Sequence, residues 1–210
     1  MLNSKMLKDV YDFLLRKYSY QGWWPLIEKN KILYRPRDYS YPRTKEQEFE
    51  ICAGVILTQN TAWKNAGKAL ISLHNKGVLN PKSIIKNDIA DLIKSSGYYN
   101  QKTRKLKEFS KFFISEFDKL RTMKIEDARN LLLSVKGIGK ESADSILLYA
   151  LKRPVFVVDA YTKRLFAHVG SDYDELQDFF HKNLKSDYRI FNEFHALIVK
   201  AGKDELKIRS

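Results

Sequence analysis

The tightest constraint in this 210-residue chain is a pair of glycines set between two helical patterns. Ala128, Leu131, Leu132 and Val135 fall at i, i+3, i+4 and i+7, and Ala143, Ile146, Leu147 and Ala150 repeat that spacing after Lys136-Gly137-Ile138-Gly139-Lys140. Apolar residues at this period line one face of a helix, so the stretch predicts two amphipathic helices joined by a short turn, a helix-hairpin-helix. Glycine tolerates positive φ and has no side chain in the way, which lets backbone N–H groups of such a turn approach a phosphate. A bare Gly-x-Gly reads equally as an ordinary αα-hairpin with a glycine cap, so the turn alone does not decide.

Charge favours the phosphate. The chain carries 38 Lys+Arg against 25 Asp+Glu, a formal +13, and a pI near 9.6. That balance suits a polyanionic partner, and nucleic acid is the natural one. The basic residues are dispersed, which predicts a folded basic face instead of a tail. With 44% hydrophobic residues the chain can bury the core of one large or two small lobes. No run of 18 apolar residues occurs and Met1-Leu2-Asn3-Ser4-Lys5 lacks the apolar core of a signal peptide, so a soluble protein of the cytoplasm or nucleoid, with no membrane partner, is expected. Cys52 is the only cysteine, which excludes an internal disulfide and any cluster needing several thiolates from this chain; between Ile51 and Ala53 it reads as core.

Helical patterns run over residues 2–18, 49–73, 84–94, 102–117, 126–135, 140–151, 161–168, 173–184 and 190–200. Only Val155 to Val158 looks β-like, too short to imply a sheet, and the fold class is all-α. Asn80-Pro81 and Gly97 break the middle of the chain, and residues 34–43, with three tyrosines, three arginines and two prolines, read as an irregular insert.

At Lys136-Gly-Ile-Gly-Lys140, Glu141-Ser142-Ala143-Asp144 and Val157-Val158-Asp159 the chain resembles the endonuclease III superfamily of helix-hairpin-helix DNA glycosylases. Ile56-Leu57-Thr58-Gln59-Asn60-Thr61, Ser96-Gly97-Tyr98-Tyr99-Asn100-Gln101-Lys102 and His195-Ala-Leu-Ile-Val199 extend the likeness over roughly residues 49 to 203. The resemblance implies a single unit over 1–210 built of two helical lobes. Residues 50–150 would form the central lobe, residues 1–49 and 151–210 the second, with the active site in the cleft between them. It further implies a monomer acting on double-stranded DNA that contains a damaged base.

Breaking the bond between a base and deoxyribose develops oxocarbenium character, and a fixed carboxylate in a water-poor cleft stabilises that charge. Asp159 is the expected carboxylate, able also to orient the attacking water or to cap the helix that follows. In superfamily members that also cut the strand, the residue two after the second glycine is a lysine whose amine forms a Schiff base. Here it is Glu141, so a monofunctional enzyme is expected, with Glu141 either catalytic or a solvated first-turn residue. Lys140, about 100° around the helix, is expected to face phosphate.

Trp23-Trp24-Pro25 and Trp63 hold all three tryptophans. With Thr58-Gln-Asn-Thr61 they look most like the endonuclease III-like 3-methyladenine DNA glycosylases that lack an iron–sulfur cluster. A cationic alkylated base stacked between such rings gains cation–π attraction of about 0.5 to 2 kcal/mol. Core packing is the plain alternative for these rings. By resemblance, Gln59 fills the space left by the flipped nucleotide and Tyr98 is the wedge, with Asn100, Gln101 and Lys102 by the same loop. Lys136, Gly137, Ile138, Gly139 and Lys140 form the phosphate grip. No cofactor is expected, since the four cysteines that iron–sulfur members carry after residues 194–202 are missing; the resemblance leaves room for a monovalent cation at the hairpin. Leu206 and Ile208 are expected to pack back onto the lobe instead. The rival readings are a glycosylase for mismatched uracil or thymine, hypoxanthine or an oxidised purine, and a noncatalytic DNA-binding module.

Overall fold

Asp172, Asp187, Asn80 and Thr44 each stand just before a helix and accept a hydrogen bond from a first-turn N–H, so polar caps set where many of the elements begin. The computed structural model describes residues 4–205. Among them ten α-helices and one small hairpin appear. Helix α1 (Ser4–Tyr18) buries Leu7, Val10 and Leu14 against the C-terminal helices α9 (Tyr173–Asn183) and α10 (Tyr188–Lys203). Both ends of the chain thus build one side of the molecule. Helix α2 (Lys45–Thr58) is buried on nearly every face and packs against much of the rest, from α3 (Trp63–Asn75) to α5 (Tyr99–Ser115). A helix apolar all round belongs in the centre.

Two expectations are corrected by length. The pattern over 49–73 is two helices, because Thr58 turns its hydroxyl back onto the carbonyls of Gly54 and Val55 and Asn60 takes a left-handed conformation at φ 53°. The pattern over 84–94 likewise divides into α4 (Pro81–Lys86) and a 3₁₀ turn over Asp91–Ser96. A hairpin not anticipated at all pairs β1 (Leu26–Glu28) with β2 (Lys31–Leu33) antiparallel, Ile27 opposite Ile32. Lys29 and Asn30 both have positive φ, the geometry that matches the right-handed twist of two strands, but Lys-Asn lacks the glycine that advertises such a turn.

The helix-hairpin-helix forms as expected from α6 (Ile125–Leu133) and α7 (Lys140–Ser145), the latter continuing as a π-helical turn over Ile146–Ala150. Val155 to Val158 is extended and buried but pairs with no strand. Its polar backbone is satisfied by α9 instead: Phe156 N–H donates to His181 Nε2 at 2.9 Å, Phe156 O accepts from Gln177 Nε2 at 2.6 Å, and the Tyr173 hydroxyl lies 3.5 Å from Val158 N. This segment delivers Asp159 to the start of α8 (Ala160–Leu165). Cys52 is core, as read from its neighbours, while Leu206 and Ile208 lie outside the described residues.

Candidate active site and DNA-facing surface

Asp159 caps α8 through one oxygen only. Oδ1 accepts from Thr162 N at 2.7 Å and from the Thr162 hydroxyl at 2.9 Å, while Oδ2 faces His195, whose Nε2 is 3.7 Å away. The cap therefore occupies one oxygen of the carboxylate and leaves the other free of the helix. Burial acts to raise the Asp159 pKa, but His195 and the Thr162 donors outweigh it and hold the group below the ordinary aspartate value. Nε2 and Oδ2 stand beyond direct hydrogen-bond reach, so their attraction in the free protein is electrostatic.

Asp159 lines a cavity of about 200 Å³ together with Glu141, Gln59, Trp23, Trp24 and Trp63. Burial and the nearby charge of Asp159 both raise the Glu141 pKa, although much of its side chain is open to the cavity. The cavity holds two carboxylates in unlike environments and no lysine at the position of Glu141. The aromatic wall is close-knit: Trp23, Trp24 and Trp63 meet pairwise at 5.0 to 5.2 Å between ring centres, and Trp24 leans on Tyr149 at 5.3 Å. Gly54 backs this wall closely: a Cβ on it would stand 3.1 Å from the Trp24 indole, which would have to give by a few tenths of an ångström. Pro25 is a correction: it is buried outside the cavity lining and shapes the chain without facing a ligand.

A buried polar network ties the hairpin to this cavity. Asp144, with no exposure, accepts two hydrogen bonds from the Arg129 guanidinium at 2.7 and 3.0 Å and one each from Tyr173 and Gln177 at 2.7 Å. Arg129 comes from α6, Asp144 from α7, and Tyr173 and Gln177 from α9, the helix that supports the segment ending at Asp159. The sequence offered Asp144 only as part of the helix after the turn. Lys203 and Tyr161, which also line the cavity, carried no local signal because they converge from α10 and α8, and His195, though part of a block that carries the resemblance, had no role assigned to it.

At the hairpin, Gly137 takes φ +95°, and a Cβ there would lie 2.6 Å from Lys105. Gly139 caps α7 without a side-chain acceptor, so the first-turn N–H groups face outward with no side-chain cap. Ile138 is corrected: its side chain is buried and its N–H donates to Val135 O at 3.0 Å, so it shapes the turn instead of holding phosphate. Lys136 and Lys140 are exposed, the latter paired with Asp174 in a surface bridge that a phosphate can displace cheaply. Two of the hairpin carbonyls already accept hydrogen bonds, Val135 O from Ile138 N and Gly137 O from Gln59 Nε2 at 3.0 Å. An iron–sulfur cluster does not fit a chain with one cysteine.

Gln59 is engaged on three sides, donating to Gly137 O and Ser142 Oγ and accepting from Lys105 Nζ. Tyr98 is 65% exposed at φ 48°, projecting from the start of α5, and Asn100 beside it is exposed too. Lys102 is the clearest correction. It is 2% exposed, and its amine donates to Leu57 O at 2.8 Å and Ser96 O at 2.7 Å, holding together the two loops that carry Gln59 and Tyr98. Burial pushes its pKa down to about 8. From the hairpin a basic groove of about 590 Å³ runs along α5, lined by Arg104, Lys105, Lys107, Lys111 and Lys136 against the single acid Glu108.

The model of the HhH-GPD superfamily base excision DNA repair proteins matches residues 53–184. A Methanocaldococcus jannaschii protein, MJ1434, whose name proposes a DNA repair glycosylase, is 39% identical over 212 residues, spanning 95% of this chain and 88% of its own. The H. pylori 3-methyladenine DNA glycosylase MagIII, solved with 1,N6-ethenoadenine, superposes with a TM-score of 0.76 at 30% identity over 99% of this chain and 100% of that one. Endonuclease III trapped on DNA shares the fold, with a TM-score of 0.70 at 17% identity over 100% of this chain and 91% of that one. With a family model over most of the chain and two relatives along nearly all of it, the protein belongs to the HhH-GPD superfamily and is a DNA glycosylase of the endonuclease III type.

Proposed function

We propose that the protein is a monofunctional glycosylase that hydrolyses the N-glycosidic bond of a flipped alkylated purine, such as 3-methyladenine, and leaves an abasic site in an intact strand. The observation that carries this reading is the presence of two carboxylates, Asp159 and Glu141, in one cavity walled by three tryptophans. A carboxylate there supports the oxocarbenium-like sugar, and glutamate cannot form the imine on which strand cleavage depends. Aromatic walls suit a base that carries positive charge and is therefore a good leaving group. The similarity to an enzyme named for 3-methyladenine and solved with a modified adenine supports a purine substrate.

In this reading the cavity is the cleft between a central lobe over 50–150 and a lobe built from 1–49 and 151–210, and one copy of the chain acts alone. Tyr98 wedges the duplex, and Gln59 exchanges its hydrogen bonds at the hairpin for the space left by the flipped nucleotide, offsetting an unstacking cost of a few kcal/mol. Incubation with duplexes that each carry one lesion is expected to release 3-methyladenine, with abasic sites as the product and no covalent adduct on borohydride addition. Release of uracil, hypoxanthine or an oxidised purine instead would reassign the substrate. A trapped adduct would overturn the monofunctional mechanism, and no release from any lesion would overturn catalysis altogether.

A further inference from the structure

His195 sits on α10 with a side chain 8% exposed, and its two ring nitrogens have very different surroundings. Nδ1 lies 2.6 Å from the hydroxyl of Tyr149, whereas Nε2 is buried with no hydrogen-bond partner and aims at Asp159 Oδ2. Tyr149 is fully enclosed and burial raises its pKa well above the ordinary phenol value, so its proton stays on. A phenol donating to Nδ1 makes that nitrogen the acceptor and places the ring proton on Nε2. The opposite neutral tautomer would turn a lone pair toward a carboxylate, which electrostatics disfavours; the doubly protonated ring also carries hydrogen at Nε2. Every favourable state presents Nε2–H to Oδ2.

We infer that Tyr149 and His195 form a positioning pair that aims Asp159 Oδ2 at the reacting sugar and keeps it ionised. Tyr149 fixes the tautomer and orientation of the imidazole, and His195 holds the oxygen that Thr162 leaves free. No proton is transferred along the pair. Because the Tyr149 ring also packs on Trp24, the same residue touches the wall of the base pocket and the support of the catalytic carboxylate. This rests on the assignment of Asp159 under the proposed function.

The test is single-turnover base release from a duplex methylated with dimethyl sulfate, followed from acid to neutral pH. The other titratable groups around Asp159 are Glu141 on α7, Tyr161 on α8, Lys203 on α10 and Tyr149 itself, with Lys163 acting on Glu141, so each variant is also measured with Glu141→Gln, which removes the second cavity carboxylate. His195→Leu is expected to slow release by at least about tenfold at neutral pH and to move the acid limb up by about one pH unit, because Asp159 loses the electrostatic support of the Nε2–H that faces Oδ2. His195→Gln, whose amide N–H replaces Nε2–H, is expected to restore both; Tyr149→Phe should shift the limb in the same direction by less. Binding to a duplex with an abasic-site analogue should stay within about twofold throughout. An unshifted limb in His195→Leu and Tyr149→Phe, with Asp159→Asn inactive, overturns the positioning pair and leaves the catalytic assignment standing; an active Asp159→Asn overturns both. If His195→Leu does not fold, the limb in His195→Gln and Tyr149→Phe decides.

Discussion

Thr162 holds Asp159 through Oδ1 alone, with its N–H at 2.7 Å and its hydroxyl at 2.9 Å, and so leaves Oδ2 to the cavity. Asparagine caps helices as well as aspartate does. Asp159→Asn is therefore expected to keep α8 and the fold while removing the charge. Base release should fall by at least about 100-fold with affinity for lesion duplex little changed. Single-turnover kinetics beside fluorescence anisotropy separate the two, and a variant with near-normal release would remove Asp159 from the chemistry.

Lys102 offers a test of what joins the loops that carry Gln59 and Tyr98. In Lys102→Met the volume is kept and the amine is lost, leaving Leu57 O and Ser96 O without their donor. Unsatisfied buried carbonyls cost about 1–3 kcal/mol each. Urea denaturation should show a loss of about 2 to 4 kcal/mol, and hydrogen exchange should quicken around residues 57–60 and 96–99. Wild-type stability with weaker DNA binding would instead return Lys102 to the phosphate-binding surface.

The groove along α5 predicts the salt dependence of binding. Each phosphate neutralised contributes about 0.9 to the slope of log K against log salt. Replacing Arg104, Lys107 and Lys136 together by glutamine should lower that slope, by as much as about 0.9 for each phosphate no longer neutralised. The single-turnover rate at saturating enzyme should stay unchanged. An unaltered slope would mean that the duplex runs elsewhere.

Glu50 predicts how stability responds to pH. It accepts from Ile27 N at 2.6 Å, tying the hairpin to α2, and burial raises its pKa from 4.5 to about 7. The folded state thus binds this proton more tightly than the unfolded chain. Its contribution is fully present below about pH 4.5 and is lost as pH rises through 7, a change of about 3 kcal/mol by the linkage relation. Glu50→Gln keeps the acceptor without the charge. Denaturation of both proteins at pH 5 and pH 8 should show the variant gaining relative to wild type at pH 8 by a few kcal/mol. Equal pH dependence would show that Glu50 titrates normally.

Much of this protein is written locally. The 3.6-residue period on either side of Gly137 and Gly139, the break at Asn80-Pro81, and the aspartate that ends Val155 to Val158 each depend on neighbours in the chain, and each stands where its pattern puts it. Periodicity cannot see where an amphipathic run is cut when the cut is made by a hydroxyl folding back and one left-handed asparagine, so residues 49–73 read as one helix and fold as two.

The amino-acid sequence by itself determined the hairpin, the helical class, and a glutamate where an amine nucleophile would stand. Only the tertiary structure decided that Lys102 is a buried clamp, that Asp144 joins three helices, and that His195 faces Asp159 across 36 positions of chain. These roles depend on low-dielectric surroundings and on donors and acceptors brought together from distant segments. A lysine, an aspartate and a histidine carry no mark of burial in their own neighbourhoods; folding supplies the desolvation that gives each its work.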